Sequence, residues 1–513
     1  MNGAESLVHT LLKGGVEVCF ANPGTSEMHF VAALDRVPGM KCVLGLQENI
    51  VTGAADGYYR VTDKPAATLL HCGPGLANGM ANLHNAKRAR SGIVNIVGDQ
   101  ATYHRPLDAP LTADTDNWAR GVSSWVRTAT SAAAVGSDAA VAIQTAGTLP
   151  GQIATLVLPS DTCWDEGGKV ADPLPVAAAT QLDPHAVKTA ARLLREKRNV
   201  LVILGGRALR EGAQRYARRI EAATNCKFLA EINNARHERG RGRMQIDRVP
   251  YAADRAISAL KDHDQVILVG GKAPVGFFAY PNKSSLHYPQ SAGVHVLAHF
   301  HQDVEEALRA LAEELGAPDV AIPDPGPRPQ TARGTPTPEG LGRTIAALMP
   351  EHSIVVDESV SCSAGFIKKT FAAPPHTWMQ IMGGAIGAGL PIATGAAVGG
   401  RGSRRIISLQ ADGSAMYTVQ ALWTQARERL PVTTIILSNR KYQVLLGEYF
   451  NVGANPGRTA MDMLSLSNPD FNWVKLAEGF GVEAARAGTL EVCGDLLAQS
   501  FKNNAPFLIE LAI

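Results

Sequence analysis

Short apolar runs recur along the chain, each closed by a glycine or a polar turn and followed by a helical stretch. "VEVCFA", "KCVLGL", "PAATLLH" and "GIVNIVG" lie in the first part, and "NVLVILGG", "DQVILVGG" and "GVHVLA" in the middle. "SIVVDES", "RRIISLQADG", "VTTIILSN" and "FLIELAI" close the chain. These runs are continuously apolar rather than alternating, which predicts parallel strands covered by helices on both faces. The opening "MNGAESLVHTLLKGG" has the spacing of an amphipathic helix. Two segments interrupt the rhythm. "DEGGKVADPLPVAAATQLDP" is rich in Pro and Ala, and "GAPDVAIPDPGPRPQTARGTPTPEG" has prolines too dense for a helix interior or a central strand. The expected fold class is therefore α/β, with three parallel-sheet domains over residues 1–165, 184–316 and 340–513.

Composition narrows the partners. The chain has 513 residues, 45% of them hydrophobic, and a net charge of +2, so no electrostatic case for nucleic acid exists. No apolar run is long enough for a bilayer, and no basic segment precedes an apolar core at the N-terminus, so neither membrane nor export is expected. Seven scattered cysteines without a CxxC pair suit reduced thiols and a cytoplasmic location. The 50 glycines fit an enzyme with many tight strand-to-helix turns.

The stretch from Ile407 to Tyr442 carries the first chemistry. One apolar run ends in Asp412-Gly413-Ser414, and the next ends in Ser438-Asn439. The residues between can form one crossover, which would make the two strands neighbours. Ligands of open parallel sheets bind beyond the carboxyl ends of the strands. An Asp carboxylate and an Asn carbonyl converging there make a hard-oxygen site for Mg²⁺ that still needs phosphate oxygens. Gly413 lets a phosphate approach the backbone, and Ser414 opens a helix whose N-terminus favours an anion. The bland alternative is that Asp412 only caps a helix.

This stretch resembles the thiamine-diphosphate motif, which begins Gly-Asp-Gly and ends Asn-Asn; Ala411 and Ser438 stand where its first glycine and first asparagine would be. "ANPGTSE", "LGLQENIVTGAADGYYR", "LLHCGPGLANGMANLHNA" and "MGGAIGAGLPIATGAA" resemble segments of the acetolactate synthase and benzoylformate decarboxylase group. The resemblance runs through nearly the whole chain. It implies a pyrimidine-binding domain, a middle domain and a diphosphate-binding domain. It implies thiamine diphosphate and Mg²⁺ as cofactors, the metal held by Asp412, Asn439 and the Lys441 carbonyl. Glu48 would hydrogen-bond the aminopyrimidine and activate the cofactor. Ile386 would be the wedge beneath the bent cofactor, and Gly384 would offer it a carbonyl. Val360, Ser361, Gly413 and Ser414 would serve the diphosphate, and Gly24, Asn78 and Tyr442 would complete the cofactor contacts. His71 matches an active-site histidine that orients a substrate carboxylate or relays protons, and Thr25 aligns with an active-site serine, with Ser26 beside it. For Glu48 the alternative is a first-turn acid favoured by the helix dipole, for Ile386 ordinary core, and for Thr25 and Ser26 turn capping.

The chain also departs from the group it resembles. A second active-site histidine of the decarboxylases falls on Ala279, flanked by Phe277, Phe278 and Tyr280, unless His287 or His104 replaces it. Without that proton donor, the intermediate left after CO₂ loss has longer to attack a second carbonyl. The expectation is an acetolactate-synthase-like carboligase acting on a 2-oxo acid and a carbonyl acceptor. The alternative is a benzoylformate decarboxylase-like enzyme for an aromatic 2-oxo acid. A non-catalytic subunit of the same fold is the rival from another class, and the presence of Glu48 speaks against it. The substrate-selecting tryptophan of acetolactate synthases is absent, with Glu448 and Tyr449 nearby, and FAD lacks a convincing sequence signature. No strand leads into a complete G-x-G-x-x-G turn, which disfavours a nicotinamide dehydrogenase. The resemblance implies a homodimer or homotetramer.

Overall fold

The computed structural model describes residues 1–513 except Asn225. The first helix, Gly3–Lys13, starts at a capping box in which Asn2 and Glu5 satisfy each other's backbone N–H groups. The strands in chain order are β1 (Val18–Ala21), β2 (Lys41–Leu44), β3 (Ala66–Leu70), β4 (Ile93–Asp99), β5 (Trp125–Thr128) and β6 (Ile153–Pro159). Then come β7 (Val200–Leu204), β8 (Lys227–Ala230), β9 (His237–Arg239), β10 (Asp247–Arg248), β11 (Gln265–Val269) and β12 (Gly293–Ala298). The last are β13 (Ile354–Glu358), β14 (His376–Gln380), β15 (Ile406–Ala411), β16 (Val432–Ser438), β17 (Glu483–Ala487) and β18 (Phe507–Ala512).

They form three sheets, ordered β2-β1-β3-β4-β6-β5, β10-β8-β7-β11-β12 and β17-β18-β16-β15-β13-β14-β9. All recorded pairings are parallel except β9 with β14. Each sheet winds outward in both directions from its first long strand. Each therefore has a crevice at the carboxyl ends of two strands whose connections run opposite ways: β1 and β3, β7 and β11, β13 and β15. Every apolar run quoted from the sequence became a strand. The fully buried run of β6 escaped that reading, as did the short or partly polar β5, β8, β9, β10, β14 and β17.

The three-unit division needs one amendment. β9, inside the range expected for the middle domain, pairs with β14 and so belongs to the third sheet. The crossover between β15 and β16 is not one helix but three short pieces, Asp412–Ala415, Met416–Thr418 and Ala421–Arg427. The first and third units dock through the helices Glu48–Thr62 and Gly389–Gly399. A Cβ on Gly57 would run into the Ile392 carbonyl and one on Gly395 into the Ala54 carbonyl. The small residues of "GAADG" and "ATGAA" thus let two backbones touch. Among the described residues no helix is long and apolar enough to cross a membrane.

Candidate active site

In the first crevice β1 and β3 are neighbours, with Ala21 opposite Leu69, so the segments leaving them converge. One is the turn through Thr25–Glu27; the other is His71, which leads into the helix Cys72–Ala89. His71 Nδ1 lies 3.0 Å from Glu27 Oε2 and 3.3 Å from Ser26 Oγ. The Ser26 hydroxyl donates to the Glu27 carboxylate, and the Gly24 N–H donates to it at 2.7 Å. An ionised carboxylate only accepts, so Nδ1 carries its proton toward Glu27 and Nε2 remains for other chemistry. A Cβ on Gly24 would overlap the His71 ring, which explains the glycine by its neighbour. Thr25 is exposed and stands outside this cluster.

Glu27, His71 and Cys72 each present one possible ligand atom, all within 4.8 Å of one another. Burial pushes the Cys72 thiol up to about 11, so it stays protonated, and the group reads as a hydrogen-bonded cluster rather than a metal centre.

Glu48 opens the helix that follows β2 and is buried, at 7% exposure. Its Oε2 accepts from the Asn78 side-chain amide at 3.0 Å. Gly75 lies against it: a Cβ there would come 2.9 Å from Oε1. Behind it Asn82 donates to the Asn49 carbonyl at 2.8 Å and to the Gly387 carbonyl at 3.2 Å. Asn85 accepts from the N–H groups of Gly383 and Ala385 and donates to the Ala385 carbonyl. Two asparagines of the first unit therefore hold the loop that carries Gly384 and Ile386.

That loop is pinned from its own unit too. Glu358, at the end of β13, accepts from the N–H groups of Gly387, Ala388 and Gly389 at 2.8, 3.1 and 2.7 Å. Gly384 and Gly387 have φ of +81° and +90°, a region open to glycine. Ile386 between them is partly exposed rather than core.

The third crevice gathers the expected diphosphate residues. β15 and β16 pair from Ile406–Val432 to Ala411–Leu437, so Asp412 and Asn439 leave adjacent strands. Asp412 accepts from the Gly413 N–H at 2.9 Å and the Arg440 N–H at 2.6 Å. Burial pushes its carboxyl up, against backbone hydrogen bonds from Arg440, Gly413 and Asn439. Asn439 Oδ1 accepts from the Lys441 N–H at 3.1 Å, and the Lys441 carbonyl from Gln443 at 3.0 Å. The Ser414 hydroxyl donates to the Ala411 carbonyl at 3.0 Å. Tyr442 packs on Gly413, where a Cβ would meet its ring at 2.5 Å. Across the crevice, Val360 sits at φ 50°, strained for a β-branched residue, and presents the exposed Ser361. A buried carboxylate, amide and carbonyl oxygens, and glycines that clear the floor fit a hard cation carrying a diphosphate.

The middle crevice does not suit a dinucleotide. Glu231 fills the space beside Gly205 and Gly271, Arg90 enters from the first unit to donate to the Gly270 carbonyl at 3.3 Å, and Phe300 lies on Arg90 at 4.0 Å. A cavity of about 60 Å³ remains, far below the several hundred Å³ of cofactor pockets. FAD does not fit there.

Sequence reasoning missed Glu27, Glu358, Asn82 and Asn85. Only Glu358 gave a cue, as an acid at a strand's carboxyl end in "VVDES".

Three doubly wound units, with a carboxylate-amide-carbonyl cradle in the last and a buried glutamate in the first, define a diphosphate-cofactor enzyme. Residues 1–119 match the thiamine pyrophosphate enzyme N-terminal TPP binding domain, and residues 359–511 match the C-terminal TPP binding domain. The chain is 47% identical, over 100% of its length and 99% of the relative's, to a Mycobacterium tuberculosis protein described as "Putative acetolactate synthase large subunit IlvX". It is 29% identical to benzoylformate decarboxylase of Pseudomonas aeruginosa, over 98% of this chain and 97% of that one. The solved Rhodococcus jostii RHA1 thiamine diphosphate-dependent 4-hydroxybenzoylformate decarboxylase shares the fold, with a TM-score of 0.84 at 24% identity over 99% and 98% of the chains. The chain belongs to the thiamine-diphosphate-dependent enzymes related to acetolactate synthase and benzoylformate decarboxylase.

Proposed function

We propose that this enzyme uses thiamine diphosphate and Mg²⁺ to decarboxylate a 2-oxo acid and join the remaining fragment to a second carbonyl compound. When bound, thiamine diphosphate supplies the nucleophilic carbon and the electron sink for breaking the bond beside the carbonyl. Asp412, Asn439 and the Lys441 carbonyl hold the metal. Ser361, Ser414 and the backbone at Gly413 bind the diphosphate. With the cofactor bound, Glu48 would hold the proton of the aminopyrimidine, and Gly384 and Ile386 would seat the cofactor. His71, oriented by Glu27, moves a proton or holds the substrate carboxylate.

Carboligation is favoured over simple aldehyde release by one observation. The position expected for a second histidine is an exposed Ala279, and His287, the nearest in sequence, is 1% exposed and kept neutral by burial. His71, paired with Glu27, is the histidine that the first crevice offers. We also assign the working unit to a homodimer or homotetramer in the cytoplasm. The exposed Leu445, Phe450, Met461 and Met463 provide apolar surface for such an assembly.

The test supplies the protein with thiamine diphosphate, Mg²⁺ and pyruvate or benzoylformate, with products identified by NMR. A hydroxyketone is expected, and Glu48→Gln should abolish turnover while leaving the fold intact by circular dichroism. A free aldehyde alone would replace the ligase reading with the decarboxylase one. Full activity in Glu48→Gln would sink the role of Glu48.

A further inference from the structure

A small cavity of about 10 Å³ lies where the middle and third units meet. Its walls include Asn234, His237, Arg239 and Arg248 from the middle region, and Trp378 and Gln380 from β14. In the β9–β14 pair His237 stands opposite Trp378 and Arg239 opposite His376. Asn234 and Gln380 close one end by exchanging hydrogen bonds. The Asn234 N–H donates to Gln380 Oε1 at 3.1 Å, and the Gln380 N–H donates to the Asn234 carbonyl at 3.0 Å.

Two guanidiniums line this space without a carboxylate to match them. Arg239 is 2% exposed, and the Phe371 and Trp378 rings cover it, their centroids 5.1 and 5.2 Å from its Cζ. One of its amino groups donates to the Ile367 carbonyl, while its Nε–H has no partner. Arg248 donates to the Ile232 carbonyl at 3.3 Å and to the Ser363 hydroxyl at 3.1 Å. Among the described residues neither guanidinium forms an ion pair. The acids close to them in the chain or the sheet are engaged elsewhere. Asp247 faces Lys368 at 3.4 Å, and Asp357 accepts from the Ser359 and Ser363 hydroxyls and the Trp378 indole. Burial first, and the Arg248 charge second, work against the Arg239 charge. His237 is kept neutral by burial, and its Nε2 also lacks a partner. A guanidinium stays protonated in a protein, so these charges call for a counter-charge.

We propose that this cavity binds one small anion of the halide class, chloride under ordinary conditions, held by Arg239 and His237 with Arg248 adding charge. The space takes about one sphere of water's size, which excludes phosphate, sulfate and carboxylates. A water molecule is the competing occupant, and the unpartnered Asn234 Oδ1 favours it. The two charges decide for an anion, because a buried uncompensated charge costs more than an unmade neutral hydrogen bond. The anion ties the units together, since Arg248 of the middle region reaches Ser363 on the turn Val360–Gly365 of the third. The site lies apart from the cofactor reading above and does not rest on it.

The test uses the full chain. Crystals soaked in sodium bromide are measured at the bromine absorption edge, and an anomalous peak is expected between Arg239 and His237. Thermal unfolding compares sodium chloride and sodium bromide with sodium gluconate at equal ionic strength, gluconate being too large for the cavity. Tm in halide should exceed that in gluconate by about 2 °C or more and should saturate with concentration. Arg239→Met fills similar space without the charge and should lose both the peak and the halide-specific rise. Should that variant not fold, Arg248→Gln, at the less buried wall, should show a smaller rise than the wild type. Ordered water without anomalous signal at this place overturns the proposal. Equal Tm in halide and gluconate overturns it too, since an anion bound only by the folded chain must stabilise it. A halide-specific rise undiminished in the variants does the same, because it puts the anion elsewhere.

Discussion

At the scale of single residues, the site divides by how each member is brought into place. Glu48, His71 and Asp412 sit at or just past the ends of apolar strands, so their reach toward a crevice is visible in one dimension. Glu27 is different. It follows a turn that could belong to any loop, and its meaning depends on β1 and β3 being neighbours, which the sequence states nowhere locally. Its carboxylate is 3% exposed and gathers His71, Ser26 and the Gly24 N–H. Glu27→Gln keeps the shape but removes the charge that orients the imidazole. We expect kcat to drop about 10- to 100-fold with thiamine-diphosphate affinity retained, read by steady-state kinetics beside calorimetry. Unchanged kcat would show that the pair is only structural.

At the scale of elements, the loop between β14 and the helix Gly389–Gly399 is held by a carboxylate that does not touch the expected ligand positions. Glu358 is fully buried, and burial outweighs its three backbone hydrogen bonds to raise it to about 7. The folded protein therefore takes up this proton at a pH where the unfolded chain, near 4.5, does not. By linkage its contribution to stability is fully present below the unfolded value and is lost as pH rises through about 7. Denaturant midpoints of the wild type and Glu358→Gln should show the difference shifting toward the wild type between about pH 8 and about pH 5. The change should be of order 1–3 kcal/mol, and a flat difference would contradict the assignment. The resemblance found the loop itself, because Gly384 and Ile386 belong to a recognisable run. It did not find the clamp, since Glu358 and the loop are brought together only by the β13-β14-β15 order.

At the scale of the whole molecule, the three α/β units were legible from apolar runs and two proline-rich breaks, but their docking was not. Docking rests on side chains far apart in sequence. Asp63, at the end of the Glu48–Thr62 helix, faces Arg207, Arg210 and Arg236 of the middle unit. Arg60 pairs with Asp56 and donates to the Gln380 carbonyl of the third unit at 2.7 Å. Burial raises the Asp63 carboxyl, but the three arginines outweigh it and hold the group below its ordinary 3.8. Its contribution is present above that value and is lost as pH falls through the lower folded one. Limited proteolysis between the first two units should accelerate at such acid pH, and Asp63→Asn should show the faster cleavage already at neutral pH. Equal cleavage of variant and wild type at neutral pH would remove Asp63 from the junction.

β9 shows why unit boundaries drawn along the chain need care. Three residues of the middle region, His237 to Arg239, cover the edge of β14 in the third sheet. An open edge strand is a template for unwanted pairing, so this loan shields the third unit from its neighbours. During synthesis β9 emerges well before its partner and must wait for β14. A gene cut at the second proline-rich break would yield a C-terminal fragment with a bare edge and an N-terminal fragment carrying the missing strip. Co-expressed, the two halves have a reason to find each other; expressed alone, the C-terminal half has a reason to clump.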